Sequence, residues 1–281
     1  MILKIVIISL VCIVLFFTVF DSFRFVVKKY TVTSEKIKSD KTIVFLSDLH
    51  GRRFGRDNSK IINRINELKP DLVLLGGDMI TAQPGEDFTQ GASFVKTVLK
   101  DRDYVYAEGN HEYRAKLYPD TYGSLYDDYC ETIAKDGIRM SVNESADFFD
   151  DIRVFSLSIN YKYYRRFKHD PMEEDYVTKT IGEPSGDRFN ILLAHNPDFF
   201  DEYVEWGGEL ILSGHVHGGV VRIPFWKGLL SPMCKFFPKY DGGKFTRDGK
   251  TMIVSRGLGI HTIPFRLFNP AEIDVIRLRK A

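Results

Sequence analysis

The stretch LILSGHVHGG (residues 210–219) places His215 and His217 two residues apart, after an apolar run and before two glycines. Four other short blocks carry similar residue types: SDLHG with Asp48 and His50, GGDM with Asp78, GNHE with Asn110 and His111, and AHNP with His195. Together the blocks take five of the chain's seven histidines, a concentration that points to metal ligation. Imidazoles and carboxylates with one amide and no thiolate suit borderline divalent ions such as Mn, Fe, Zn, Co or Ni. The donors outnumber what one tetrahedral ion takes, so the set predicts two ions. Two ions about 3.5–4 Å apart can clamp the oxygens of a phosphoryl group and stabilise its in-line displacement. Asp78 is the candidate bridge, because the two oxygens of a carboxylate are both anionic and point apart.

Each block closes an apolar run. TIVFLS (42–47), DLVLLGG (71–77), YVYAEG (104–109), NILLA (190–194) and ELILSG (209–214) read as buried strands. Donors spread along the sequence then converge where the carboxyl ends of strands line a crevice. Between the first two runs, NSKIINRINELKP carries Asn58 or Ser59 as cap, apolar residues at 61, 62, 65 and 68, and Pro70 as a stop. It predicts the crossover helix of a βαβ unit. At the last block, His215 and His217 can point the same way across Val216 and reach different ions, while Gly218 and Gly219 let the backbone turn away. The later runs IRVFSLSI, TMIVSRGL and EIDVIRL predict a second sheet packed on the first. Residues 159–188 are charged and aperiodic and read as a surface excursion, with Arg165, Arg166 and Lys168 a solvated face. Arg52 and Arg53 likewise read as solvating a loop.

The N-terminus departs from the composition of a soluble domain. Ile2 to Phe20 contains one charge, Lys4, and a span needs roughly 20 apolar residues as helix. Bulky residues follow where a cleavage site needs small ones, so residues 1–21 read as an uncleaved transmembrane anchor rather than a signal peptide. Residues 22–41 read as a linker and 42–281 as one catalytic domain. Lys4 and the amino terminus oppose Arg24, Lys28 and Lys29, a balance that leans toward a cell-membrane protein with its domain on the cytoplasmic side. The net charge of +1 excludes a global electrostatic strategy for nucleic acid. Cys12, Cys130 and Cys234 show no CxxC spacing. Residues 220–240 interleave Phe225, Trp226, Leu229, Leu230, Phe236 and Phe237 with Arg222, Lys227, Lys235 and Lys239. That mixture suits either a loop tucked onto the sheet or docking at a membrane interface.

The ordered pattern DxH, GD, GNH[DE], H, GHxH resembles the calcineurin-like metallophosphoesterase superfamily over residues 42–278. The resemblance implies an α/β fold: two packed mixed β-sheets flanked by helices, a four-layer sandwich, here preceded by one transmembrane helix. It also implies one ion held by Asp48, His50, Asp78 and His217 and a second by Asp78, Asn110, His195 and His215. His111 matches the family's near-metal histidine, which can protonate the leaving oxygen. GHVHGG with VRIP, KYDGGKF and VSRGLG is similar to the membrane-associated subgroup of bacterial phosphodiesterases and lipid-A-precursor pyrophosphatases, although Val220 stands where that subgroup often has glutamine. The expected function is hydrolysis of a phosphoester, diester or pyrophosphate, on a small or lipid-linked substrate. A nuclease on the same fold conflicts with the charge balance and the anchor. A non-catalytic scaffold conflicts with the intact motifs.

Overall fold

The computed structural model describes residues 1–281 apart from 57, 166–169, 220, 224–225, 231–235 and 261–265, together with the side chain of Leu10. Arg166, Lys168, Val220, Phe225, Cys234 and Lys235 therefore lie outside the described residues.

Helix α1 (Ile2–Phe23) leads into β1 (Phe25–Ser34) and β2 (Lys41–Leu46). Then come α2 (Ser59–Leu68), β3 (Leu72–Leu75), α3 (Thr89–Leu99) and β4 (Tyr104–Tyr106). A helical segment follows, α4 (Asn110–Leu117), α5 (Pro119–Tyr122) and α6 (Leu125–Ala134), before β5 (Glu144–Phe148) and β6 (Ile152–Leu157). The remainder is α7 (Tyr176–Ile181), β7 (Phe189–Ala194), α8 (Phe200–Trp206), β8 (Leu210–Ser213), β9 (Val221–Arg222), β10 (Gly228–Leu230), β11 (Gly243–Arg247), β12 (Lys250–Val254) and β13 (Ala271–Lys280).

Among the described residues, these strands form a sheet in the order β1-β13-β2-β3-β4, a second in the order β11-β12-β8-β7-β6-β5, and a small β9–β10 ribbon. Both sheets are mixed: β2, β3 and β4 run parallel with β13 antiparallel to β2, and β6, β7, β8 and β12 run parallel with antiparallel edges. The period-2 alternation of strand side chains explains the layers. In β2, Ile43 and Phe45 join Leu72, Leu74, Ile191, Leu193, Leu210 and Leu212 between the sheets. Val44 and Leu46 face the opposite way, toward Ile61 and Ile65 of α2 and the apolar faces of α3 and α6. On the outer face of the second sheet, Phe155, Leu192 and Ile211 pack with Val177 of α7 and Phe200, Tyr203 and Trp206 of α8. The result is the expected α/β/β/α sandwich.

Three expectations change. Half of the linker over 22–41 is β1, which pairs in parallel with β13 from Phe25–Ala271 to Ser34–Lys280. Its lysines read as linker polarity, but Lys29, Thr31 and Thr33 are the exposed positions of an edge strand whose Val32 is buried, and charge on an edge is a usual guard against mispairing. EIDVIRL returns to the first sheet instead of joining the second. Residues 159–188 are no mere surface excursion, because Tyr163, Tyr164, Met172 and Val177 are buried against the second sheet.

Except at its foot, where Asp21 is buried, helix α1 stands apart from these layers. Its most apolar 18-residue window has a mean hydropathy of 3.0 and none of it is buried, so it is long and apolar enough to cross a membrane.

Candidate metal centre

The site forms where the carboxyl ends of both sheets meet. Past the strands, backbone bonds continue the ladders: Asp48 N–H donates to Gly77 O at 2.9 Å, His50 N–H to Asp78 O at 3.0 Å, and Gly214 N–H to His195 O at 3.0 Å. The turns that follow are unusual for L-residues. Asp48, His50, Asp78, His215 and His217 all have φ between 48° and 70°, a left-handed region sparsely used by residues with side chains. Each such residue costs about 1–3 kcal/mol unless its surroundings fix it, and clustering at one place marks a functional site. Gly218 and Gly219, with φ of 70° and 82°, turn the chain away as their sequence position predicts.

All the sequence-predicted donors converge. Asp48, His50 and His217 form one group with ligand atoms within 4.8 Å of one another, and Asp78, His195 and His215 form another. A third joins His50, Asp78 and His111, so Asp78 belongs to two groups. His195 Nε2 lies 3.1 Å from Asp78 Oδ2 and 3.7 Å from Asp48 Oδ1. His50 Nε2 lies 3.1 Å from His217 Nε2 and 3.8 Å from Asp78 Oδ2. Asn110 Oδ1 is 2.7 Å from His215 Nδ1. His215 and His217 thus fall in different groups, as their spacing across Val216 suggests.

The ring orientations fit metal ligation. His195 Nδ1–H donates to Gly76 O at 2.6 Å and His50 Nδ1 lies 3.2 Å from Thr81 Oγ1, leaving Nε2 of each ring toward the carboxylates. Outer-shell bonds of this kind fix the tautomer of a ligating histidine. Buried Asp48 Oδ2 makes no hydrogen bond among the described residues, a costly arrangement that a cation resolves. His111 is oriented differently: its Nδ1 accepts the Ala82 N–H at 2.9 Å, while its own backbone N–H donates to Asp78 Oδ1 at 2.7 Å.

Electrostatics follow from burial and crowding. Burial pushes Asp48 up to about 6 against the pull of His195. Burial also works to raise Asp78, yet His195, His111 and His50 hold it well below the usual carboxylate range. His195 is disfavoured as a cation by burial, but Asp78 and Asp48 raise it to about 10. Two buried carboxylates facing imidazoles make a site that attracts cations, protons included.

Several residues outside the predicted donor set contribute to the site. Glu112 is fully buried, and its carboxylate accepts the N–H groups of Asp78 at 2.8 Å, Met79 at 2.7 Å and Gly109 at 3.2 Å. It locks the Asp78 loop to the start of α4. As the fourth residue of GNHE it supplies the glutamate half of a capping box by accepting the Gly109 N–H, and its place in that block could have revealed it. Tyr164 meets His215 edge-on at 5.0 Å between ring centroids, with no signal in its charged surroundings. Arg52, read as solvating a loop, instead donates to Leu258 O at 3.1 Å and stacks over Phe54. Arg53 is exposed as expected.

Comparison with known proteins gives the same picture. The family pattern described as calcineurin-like phosphoesterase matches residues 41–219, more than half of the chain. The UDP-2,3-diacylglucosamine pyrophosphatase LpxG of Chlamydia muridarum is 26% identical over 279 residues, covering 84% of this chain and 82% of its own. Phosphodiesterase YaeI of Escherichia coli is 27% identical over 220 residues, 77% of this chain and 74% of its own. A zebrafish (Danio rerio) transmembrane protein with a metallophosphoesterase domain is 28% identical over 250 residues, 85% of this chain and 53% of its own.

Proposed function

Because this chain belongs to the calcineurin-like phosphoesterase family and is a metallophosphoesterase, we propose that it is a membrane-anchored hydrolase that works with two divalent ions. Its proposed substrates are phosphodiesters or pyrophosphates, small or lipid-linked. The observation that carries this reading is the convergence of Asp48, His50 and His217 in one group and of Asp78, His195 and His215 in another, with His50 and Asp78 together in a third. In it, Asp48, His50, Asp78 and His217 hold one ion, and Asp78, Asn110, His195 and His215 hold the second. Mn, Fe, Zn, Co and Ni all suit this donor set. The ions, when bound, supply Lewis-acid stabilisation of the phosphoryl oxygens.

The chain's own groups do the rest. With Nδ1 accepting the Ala82 N–H, neutral His111 carries its proton on Nε2. It can donate that proton to the leaving oxygen as the P–O bond breaks. Glu112 keeps Asp78 and His111 in register by tying their two loops together.

Lipid-linked substrates are supported by exposed aromatic residues at the foot of α1 and in residues 226–237. Phe23, Trp226, Phe236 and Phe237 are 82%, 60%, 72% and 46% exposed, and the basic Arg24 and Lys227 follow Phe23 and Trp226 in the sequence. Aromatics with basic residues suit a headgroup boundary. The names of two relatives, a pyrophosphatase of a diacylated sugar nucleotide and a phosphodiesterase, point the same way. The charges flanking α1 lean toward a cytoplasmic domain.

The test is hydrolysis of bis-p-nitrophenyl phosphate beside p-nitrophenyl phosphate by the full chain in detergent, metal-stripped and then given Mn. Mn-dependent diester cleavage that is lost in His111→Ala is the expected result. A protein that binds Mn yet cleaves neither these esters nor a pyrophosphate would overturn the reading.

A further inference from the structure

The foot of α1 is built into the wall behind the metal centre. Asp21 is fully buried; its Oδ1 accepts from Arg24 Nε at 2.8 Å and its Oδ2 accepts the Asn269 N–H at 3.1 Å. Asn269 then donates through Nδ2 to His217 O and Gly219 O, both at 2.7 Å. One residue therefore bridges the foot of the helix and a candidate ligand turn.

A second route runs beside the first. Ser22 Oγ accepts the Arg266 N–H at 3.2 Å. The buried Arg266 guanidinium donates to the carbonyls of Arg256 at 2.9 Å, Gly257 at 3.1 Å and Asn269 at 3.2 Å, and through Nε to Gly259 at 3.0 Å. The loop so held bonds back to the first ligand block, with Leu258 N–H on Ser47 O at 3.0 Å and Gly259 N–H on Asp48 O at 2.5 Å. Phe17 against Phe268, with ring centroids 5.0 Å apart, seats the helix on the same loop. Among the described residues, both routes reach the group of Asp48, His50 and His217 first; His215 is one bond further on, its N–H donating to Asp48 Oδ1 at 2.9 Å.

We propose that Asp21 and Ser22 are positioning residues for one half of the metal centre: the helix foot sets the geometry of the Asp48–His50–His217 group through Asn269 and Arg266. The inference rests on the two-ion reading above and adds that the apolar helix is part of the site as well as an anchor. Left-handed Asp48, His50 and His217 need a surrounding structure that fixes them, and the foot supplies part of it. With the foot removed, the Asn269 and Arg266 N–H groups lose their acceptors and the His217 turn loses its brace.

The experiment titrates Mn into the full-length, metal-stripped chain in lipid nanodiscs and follows free ion by electron paramagnetic resonance. The variants are Asp21→Ala, Ser22→Ala, Asn269→Ala and the conservative Asp21→Asn, with Thr18→Val, whose Oγ1 bonds only within α1 to Val14 O, as the control. Melting of each metal-free protein checks the fold. Expected are two ions in the parent, with one weakened about 10–100-fold in Asp21→Ala and Asn269→Ala, the scale of losing an outer-shell partner. Ser22→Ala gives a smaller loss in the same ion, and Asp21→Asn, which keeps an acceptor, recovers most of the affinity. Parent-like titration of Asp21→Ala and Asn269→Ala overturns the inference while leaving the two-ion reading intact. Equal loss of both ions together with lowered melting also overturns it, since the foot then serves folding alone. A parent that binds no Mn removes the two-ion reading and the inference with it.

Discussion

At the carboxyl ends of β2, β3, β7 and β8 the chain buries charge: Asp48, Asp78 and His195 are almost wholly removed from water. Along α1 and the β9–β10 ribbon it does the reverse, leaving isoleucines, valines, Trp226, Phe236 and Phe237 in the open. Soluble monomers seldom do either at this scale. Buried charge requires pairing, here with a cation in the proposed reading, and extended apolar surface requires a neighbour other than water. The contrast teaches that the two regions need different partners, although Asn269 links them directly.

The largest expected effect is on the charged region. Asp78→Asn removes one anionic oxygen from the residue shared by two groups, and both Mn binding and hydrolysis should disappear; a variant that keeps two ions would show that Asp78 is not the bridge. His111→Ala should lower turnover by about 10²–10⁴-fold, the usual weight of general acid catalysis, with Mn content unchanged. Loss of metal in that variant would instead assign His111 to ligation.

Proton competition gives the next effect. His195 is raised to about 10 by Asp78 and Asp48 against its burial, so the metal-free site holds a proton there at neutral pH and an ion must displace it. Mn affinity should therefore climb by about tenfold per pH unit across the neutral range from this residue alone, and level off above its pKa. Affinity that is flat with pH would mean the proton is absent. Gly109→Ala tests the packing: a Cβ there would collide with Asp78 Oδ1 and the Asp78 backbone N. Overpacking costs about 1–3 kcal/mol, to be read as lowered melting together with weaker Mn binding.

The smallest effect belongs to the apolar region. Trp226→Ser with Phe237→Ser should lower hydrolysis of a vesicle-borne lipid diester by about tenfold, since burying a large apolar side chain is worth about 1.5–3 kcal/mol. Cleavage of soluble bis-p-nitrophenyl phosphate should stay as it was. An unchanged ratio between the two substrates would take the ribbon away from the membrane and collapse the contrast between the regions.

The sequence by itself determined what is local. Donor types at the ends of apolar runs, the helix over 59–68 and the long apolar stretch of α1 are set by composition and period, so they are legible in the sequence alone. It also carried the pairing of His215 and His217 with different partners, because two residues flanking one spacer at a turn can diverge. Tertiary structure decided what depends on distant pairing. That β1 is a strand follows from its bonds to β13, some 246 residues later in register, and its lysines gave no hint of it. That EIDVIRL returns to the first sheet, that Tyr164 lies against His215, and that Asp21 reaches His217 through Asn269 are contacts between segments with no common pattern. Hydrogen bonds and packing across such separations are fixed only when the whole chain closes on itself, which is why the candidate donors could be read from the sequence and the frame that positions them could not.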